Sequence, residues 1–179
     1  SEMTTVKIQE VEHPKYLYTR RPKWRSYKVY PHSRGLSVAF RNMKLYPSHC
    51  SKIHGYSLGI KLAFDAYELE RGIVVDFGSL KSFWGMLQDQ FDHKTVIAED
   101  DPDLDYYKEM DKQGSIDLRI LPKVGCEAFA GYVHGALDTW LSSNGYAPRV
   151  EIAFVEVWEH EGNGARYNLE PVTRYSVEA

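Results

Sequence analysis

Only two cysteines, Cys50 and Cys126, occur in the 179 residues. That is too few for a disulfide framework and predicts free thiols in a reducing compartment. No apolar run approaches the roughly 18 residues of a membrane span, and no secretory-type apolar stretch lies near the start, so a cytoplasmic protein is expected. Repeats and low-complexity tracts are also missing. Acidic side chains are absent between His13 and Phe64, where eleven Lys or Arg fall, whereas 22 acids face ten bases from Asp65 onward. The net charge of −3 therefore hides a strong asymmetry. A basic block interleaved with Tyr16, Tyr18, Trp24, Tyr27 and Tyr30 can pair with the acidic part, bind a phosphorylated small molecule, or bind nucleic acid, the last being the least favoured.

What is present suits one globular α+β domain, with 43% hydrophobic residues and a length typical of a single core. Residues 1–34, with scattered Pro14, Pro22 and Pro31, read as a basic, aromatic arm with short strands. Residues 35–179 form the domain. Alternation predicts strands over 36–41 and 57–64 as an antiparallel pair, and 73–77 as a strand end leading into a helix with Leu80, Phe83, Trp84, Leu87 and Phe91 inward. An acidic helical insertion is expected at about 98–118, with Asp101 as N-cap and Pro102 at the first helical position. A second long helix is expected over 125–143, with Phe129, Val133, Leu137, Trp140 and Leu141 inward and Asn144-Gly145 as its stop. A long strand over 150–158, a turn at Gly162-Asn163-Gly164 and a return strand over 165–168 complete the pattern.

The chemistry-bearing residues are Cys50-x-x-x-His54-Gly55, Phe91-Asp92-His93, Gly125-Cys126-Glu127 and Val157-Trp158-Glu159, with Gly72 to Lys81 and Tyr167 around them. A thiol needs a histidine or a cation nearby to act as a base or nucleophile near neutrality. Asp92 can orient His93 and stabilise its imidazolium, as a carboxylate does for a histidine base. Alternatively, His93 merely complements the dipole at a helix C-terminus. His134 and His160 default to structural or surface roles.

In these motifs, over about residues 35–168, the chain resembles the 6-pyruvoyl-tetrahydropterin synthase and 6-carboxytetrahydropterin synthase family. The resemblance implies a tunnelling fold with a four-stranded antiparallel sheet and two long helices. It further implies association into a β-barrel as trimers or hexamers, with pockets between subunits. It assigns proton transfer to Cys50, Asp92 and His93, and the grip on the pterin's 2-amino and ring N–H groups to Glu159. It places Glu127 and Cys126 near the pterin, although a small buried core cysteine is an equal reading of Cys126. The implied reaction is a lyase step from dihydroneopterin triphosphate to 6-carboxytetrahydropterin, toward 7-deazaguanine compounds such as queuosine precursors. The resemblance also implies a zinc held by three histidines, but the corresponding segments here read Val38-Ala39-Phe40-Arg41 and His54-Gly55-Tyr56. His54 remains, and His49 and Cys50 are the nearest replacements for the other two. The alternative is a tunnelling-fold protein that binds a pterin or purine without turning it over.

Overall fold

The computed structural model describes residues 22–168 in full and the backbone of two further strands, Thr5–Glu10 (β1) and Thr173–Glu178 (β9). Strands β1 and β9 pair antiparallel as a separate two-stranded sheet. The rest of the arm expected over 1–21 lies outside the described residues.

The main sheet is formed by β2 (Trp24–Tyr30), β3 (Leu36–Phe40), β4 (His54–Ala66), β5 (Lys94–Ala98), β6 (Leu118–Leu121), β7 (Val150–His160) and β8 (Asn163–Tyr167). The order is β6-β5-β3-β4-β7-β8, with β2 on the second half of β4. Helices α1 (Lys81–Phe91), α2 (Leu104–Lys112) and α3 (Cys126–Ser143) complete it. Strand β4 is 13 residues long and places Leu58, Ile60, Leu62, Phe64 and Ala66 on one face, as a period of two requires. Onto that face pack Phe83, Leu87 and Phe91 of α1 and Phe129, Val133, Leu137 and Leu141 of α3, all buried. Trp140 Nε1 donates to Ser82 Oγ at 2.9 Å and ties the two helices together.

The α+β class and the first antiparallel pair agree with the sequence reading, but the sheet has seven strands rather than four. Strands β5 and β6 are only five and four residues long and pair parallel, β5 also running parallel to β3. The middle of β5 is buried on both sides, so it shows no alternation to read. Among the described residues the helices number three, and only α3, at 18 residues, is long; α1 has 11 residues and α2 nine. Ile73 to Phe77 is not a strand. Arg149 donates its guanidinium to Val74 O at 2.7 Å and to Ile73 O at 3.4 Å, and Ile73 exchanges backbone hydrogen bonds with Glu70, so these groups find partners without a neighbouring strand.

In the acidic segment, Asp103 rather than Asp101 stands before α2. Asp101 is buried instead, accepting from Arg41 Nη2 at 2.7 Å and Nε at 3.0 Å and from the Asp103 N–H at 2.9 Å. Burial alone would raise the Asp101 pKa, but these hydrogen bonds outweigh it and hold it below the ordinary carboxylate range. Arg41 also reaches Asp103 at 2.7 Å and lies over the Tyr107 ring, so it clamps α2 to the end of β3.

Strand β7 carries a bulge. Its pairing with β4 slips between Ala63 and Phe64, leaving Ala153 as the extra residue. Before it, Val150 and Ile152 enter the core; after it, Val155 and Val157 do. No helix among the described residues is long and apolar enough to cross a membrane.

Candidate functional site

At the start of β4, Phe40 stands opposite His54 and Val38 opposite Tyr56. Cross-strand partners share a face, so Phe40, His54 and Tyr56 all lie on the side that carries the helices. Glu159 is the extra residue of a second irregularity in β7, where Trp158 pairs with Gly164 and His160 with Asn163, and it lines the cavity described below. Gly125 then turns the chain with φ +117°, a conformation that suits glycine, and delivers Cys126 and Glu127 at the N-terminus of α3. A short turn, His49–Ser51, presents Cys50 from the loop before β4. These elements enclose a cavity of about 170 Å³ lined by Phe40, Cys50, His54, Tyr56, Cys126, Glu127 and Glu159, with Asn42, Asn163 and Gly164 among the remaining walls.

Hydrogen bonds fix several of these groups. Asn163 Nδ2, at the start of β8, donates to Glu159 Oε1 at 3.1 Å and holds one oxygen of a carboxylate that lines the cavity. Burial pushes the Cys126 thiol up to about 11, reinforced by the charges of Glu159 and Glu127 and opposed by a hydrogen bond from the Glu159 backbone N–H. Cys126 is therefore a neutral wall of the cavity near pH 7. Tyr56 is likewise raised by burial and by the nearby Glu159, Cys50 and Cys126, so its phenol keeps its proton. Gly164 lies flat against Trp158: a Cβ there would come within 2.3 Å of Trp158 Cδ2.

The structure thus brings together Cys50, His54, Cys126, Glu127 and Glu159. It does not place Asp92 and His93 in the same cavity wall. That pair closes α1, where His93 adopts φ +58° and donates its backbone N–H to Ser37 O at 2.6 Å, while Asp92 Oδ1 accepts from Ser37 N–H at 3.1 Å. His93 Nδ1 lies 2.9 Å from Asp92 Oδ1, and the histidine side chain is 83% exposed. The imidazole is oriented by its neighbour and points to solvent. Tyr56, Asn163 and Gly164 are the site residues that the sequence did not single out for a role. Gly162-Asn163-Gly164 signalled a turn but not an anchor for Glu159. His134 is buried in α3 against the Tyr167 ring, and His160 is exposed.

Part of the basic block pairs with the acidic part of the chain, through Arg25 to Asp65, Arg41 to Asp101 and Lys44 to Asp100. Among the described residues no Lys or Arg lines the cavity.

The residues present do not fit the zinc that the resemblance implies. Phe40 has no ligating atom. His54 Nδ1 lies 2.7 Å from Lys52 O, and Nε2 is hydrogen-bonded to the Tyr56 hydroxyl, so both ring nitrogens are engaged. His49 does not line the cavity, and no group of three His, Cys, Asp or Glu among the described residues is arranged to hold a metal. A catalytic zinc needs about three such ligands and an open position.

Comparison with known proteins gives a consistent picture. The chain is 28% identical over 126 residues to the 6-carboxy-5,6,7,8-tetrahydropterin synthase of Aquifex aeolicus, covering 68% of this chain and 76% of that protein. Among solved structures, an uncharacterized protein of Wolinella succinogenes aligns with a TM-score of 0.66 at 19% identity, over 82% of this chain and 98% of the other. The 6-pyruvoyl tetrahydropterin synthase of Caenorhabditis elegans aligns with a TM-score of 0.56 at 20% identity, over 86% and 100%. These likenesses establish the fold, which is of the tunnelling type. The model of the family described as 6-pyruvoyl tetrahydropterin synthase matches residues 32–170, most of the sequence, and the chain belongs to that family.

Proposed function

We propose that the protein is a pterin-processing lyase that converts dihydroneopterin triphosphate to 6-carboxytetrahydropterin, a step toward 7-deazaguanine compounds. The observation that carries this reading is Glu159, a carboxylate in the cavity wall held at one oxygen by Asn163. A carboxylate so placed suits two adjacent N–H donors on a pterin ring through charge-assisted bonds. The relative from Aquifex aeolicus favours the carboxy product over the pyruvoyl one.

The cavity of about 170 Å³ is smaller than the roughly 300–1,000 Å³ of ordinary small-molecule sites. It suits the ring end of the substrate, with the triphosphate outside, toward exposed bases such as Lys52 next to the Cys50 turn. Loss of triphosphate requires a proton to leave the substrate side chain and another to be returned. Shortening the three-carbon side chain to a carboxyl group also takes up a water and breaks a carbon–carbon bond, the two-carbon fragment leaving as acetaldehyde while the ring is reduced at the side chain's expense. Cys50, exposed in the cavity wall, takes part in that exchange, and His93, oriented by Asp92, supplies the second exchanging group from another copy of the chain. A homo-oligomer, trimeric or hexameric, follows from this arrangement, because each surface pair of Asp92 and His93 then completes a neighbour's cavity.

A second reading, a protein that binds a pterin or purine without turnover, is favoured by one observation: Phe40 and the His54–Tyr56 bond stand where the family resemblance puts zinc ligands. Incubation with dihydroneopterin triphosphate, followed by mass spectrometry of the pterin and assay of released triphosphate, separates the two. Release of triphosphate with 6-carboxytetrahydropterin formation supports the lyase; tight pterin binding without release supports the binding protein.

A further inference from the structure

We propose that Tyr56 Oη, locked by His54, is a metal-free hydrogen-bond acceptor for a hydroxyl on the side chain of the ligand whose ring Glu159 holds. The proposal rests on the pterin reading and deepens it. Lys52 O is a carbonyl and can only accept, so at 2.7 Å it fixes the proton of a neutral His54 on Nδ1. Nε2 is then an acceptor, and the phenol donates to it. With its single proton committed, Tyr56 Oη has only lone pairs to offer. No second hydrogen-bond partner meets this oxygen among the described residues, and Phe40 packs its ring at 5.1 Å from that of Tyr56, shielding the phenol with an apolar face.

The surroundings point to the same class of ligand. Among the described residues the acidic side chains in the cavity wall are Glu127 and Glu159, no lysine or arginine lines it, and burial holds the Cys126 thiol neutral. Such a wall favours a donor-rich molecule, with N–H groups at Glu159 and an O–H at Tyr56, and disfavours an anionic group in the cavity itself. A metal bound at His54 Nε2 would have to displace the Tyr56 hydroxyl and would find no third ligand. The tyrosine thus offers a directional acceptor at a position where the family resemblance implies a metal ligand.

The test compares two probes, neopterin with its trihydroxypropyl side chain and pterin without one, by calorimetry on the full chain. Tyr56→Phe keeps the ring against Phe40 and removes only the oxygen. It should weaken neopterin binding by about three- to tenfold, the worth of one neutral hydrogen bond, and leave pterin affinity unchanged, whereas Glu159→Gln should weaken both. Equal loss for both probes in Tyr56→Phe, or no loss for either, overturns the proposal while leaving the pterin reading intact. Failure of wild-type protein to bind either probe overturns both. Elemental analysis should find well under one zinc per chain, with neopterin affinity unchanged by chelator; stoichiometric zinc that disappears in His54→Ala overturns the metal-free site.

Discussion

Replacing Arg41 with Met should turn a clamp into a buried liability, and pH should reveal it. The Arg41 and Asp101 side chains are 12% and 3% exposed, so removal of the guanidinium strands a carboxylate away from water with only the Asp103 N–H as a partner. Breaking a buried pair from one side costs about 3–5 kcal/mol. The exposed contact to Asp103 adds little. In the wild type, Asp101 is held below its ordinary range, so its contribution is present above the unfolded carboxylate pKa of about 3.9 and is lost as pH falls through the lower folded value. In Arg41→Met, burial acts unopposed by the cation and raises the folded pKa. The contribution then has the opposite slope: between the unfolded pKa and the raised folded one, stability falls as pH rises, by up to about 1.4 kcal/mol for each pH step of one. Urea unfolding followed by tryptophan fluorescence at pH 5 and pH 7 should therefore show a larger deficit at pH 7. Arg41→Met/Asp101→Asn should recover much of it. A variant within about 0.5 kcal/mol of wild type at pH 7, or one whose stability follows the wild-type pH profile, would refute the buried-clamp argument.

Glu159→Gln should weaken pterin binding by about 1.5–3 kcal/mol in calorimetry with the fold intact, and Asn163→Ala, which frees the carboxylate to rotate, by about 1 kcal/mol; unchanged affinity in Glu159→Gln removes Glu159 from the site. Cys50→Ala and His93→Ala should each abolish most turnover, and the double variant should be scarcely worse than either, as for groups that act as one unit; multiplying losses would mean that they act independently. Gly164→Ala must displace the Trp158 ring and strain its hydrogen bond to Glu156, costing about 1–3 kcal/mol in thermal or urea unfolding. A melting temperature equal to wild type would mean that the ring is free to move aside.

The elements with strong periodicity were legible. Phe83, Leu87 and Phe91 in α1, and Phe129, Val133 and Leu137 in α3, sit where a 3.6-residue period puts them, and Asn144-Gly145 ends α3 with Gly145 at φ +75°. What escaped was non-local. Lys94–Ala98 and Leu118–Leu121 are too short for a pattern and acquire strand structure from parallel neighbours. Asp101 had the local chemistry of a helix cap but was taken by Arg41, sixty residues away in sequence. Trp24–Tyr30, read as part of an arm, is held in the main sheet by β4. The convergence of Cys50, Cys126 and Glu159 followed from motif resemblance, whereas the Asn163 and Tyr56 contacts depend on side-chain geometry that spacing does not encode.

The single extra residue at Ala153 makes β7 a strand of two phases, with even-numbered residues inward on one side of it and odd-numbered residues inward on the other. Length changes within this strand are consequently not interchangeable. Deleting Ala153 would restore a continuous ladder and leave every other side chain on its present face, because Phe64 already pairs with Ile152 and Ala63 with Phe154. Deleting Glu156 would instead put Val155 and Val157 on opposite faces and turn one of them out of the core. The irregularity acts as a half-turn adapter that absorbs one residue and keeps the inward face continuous across it.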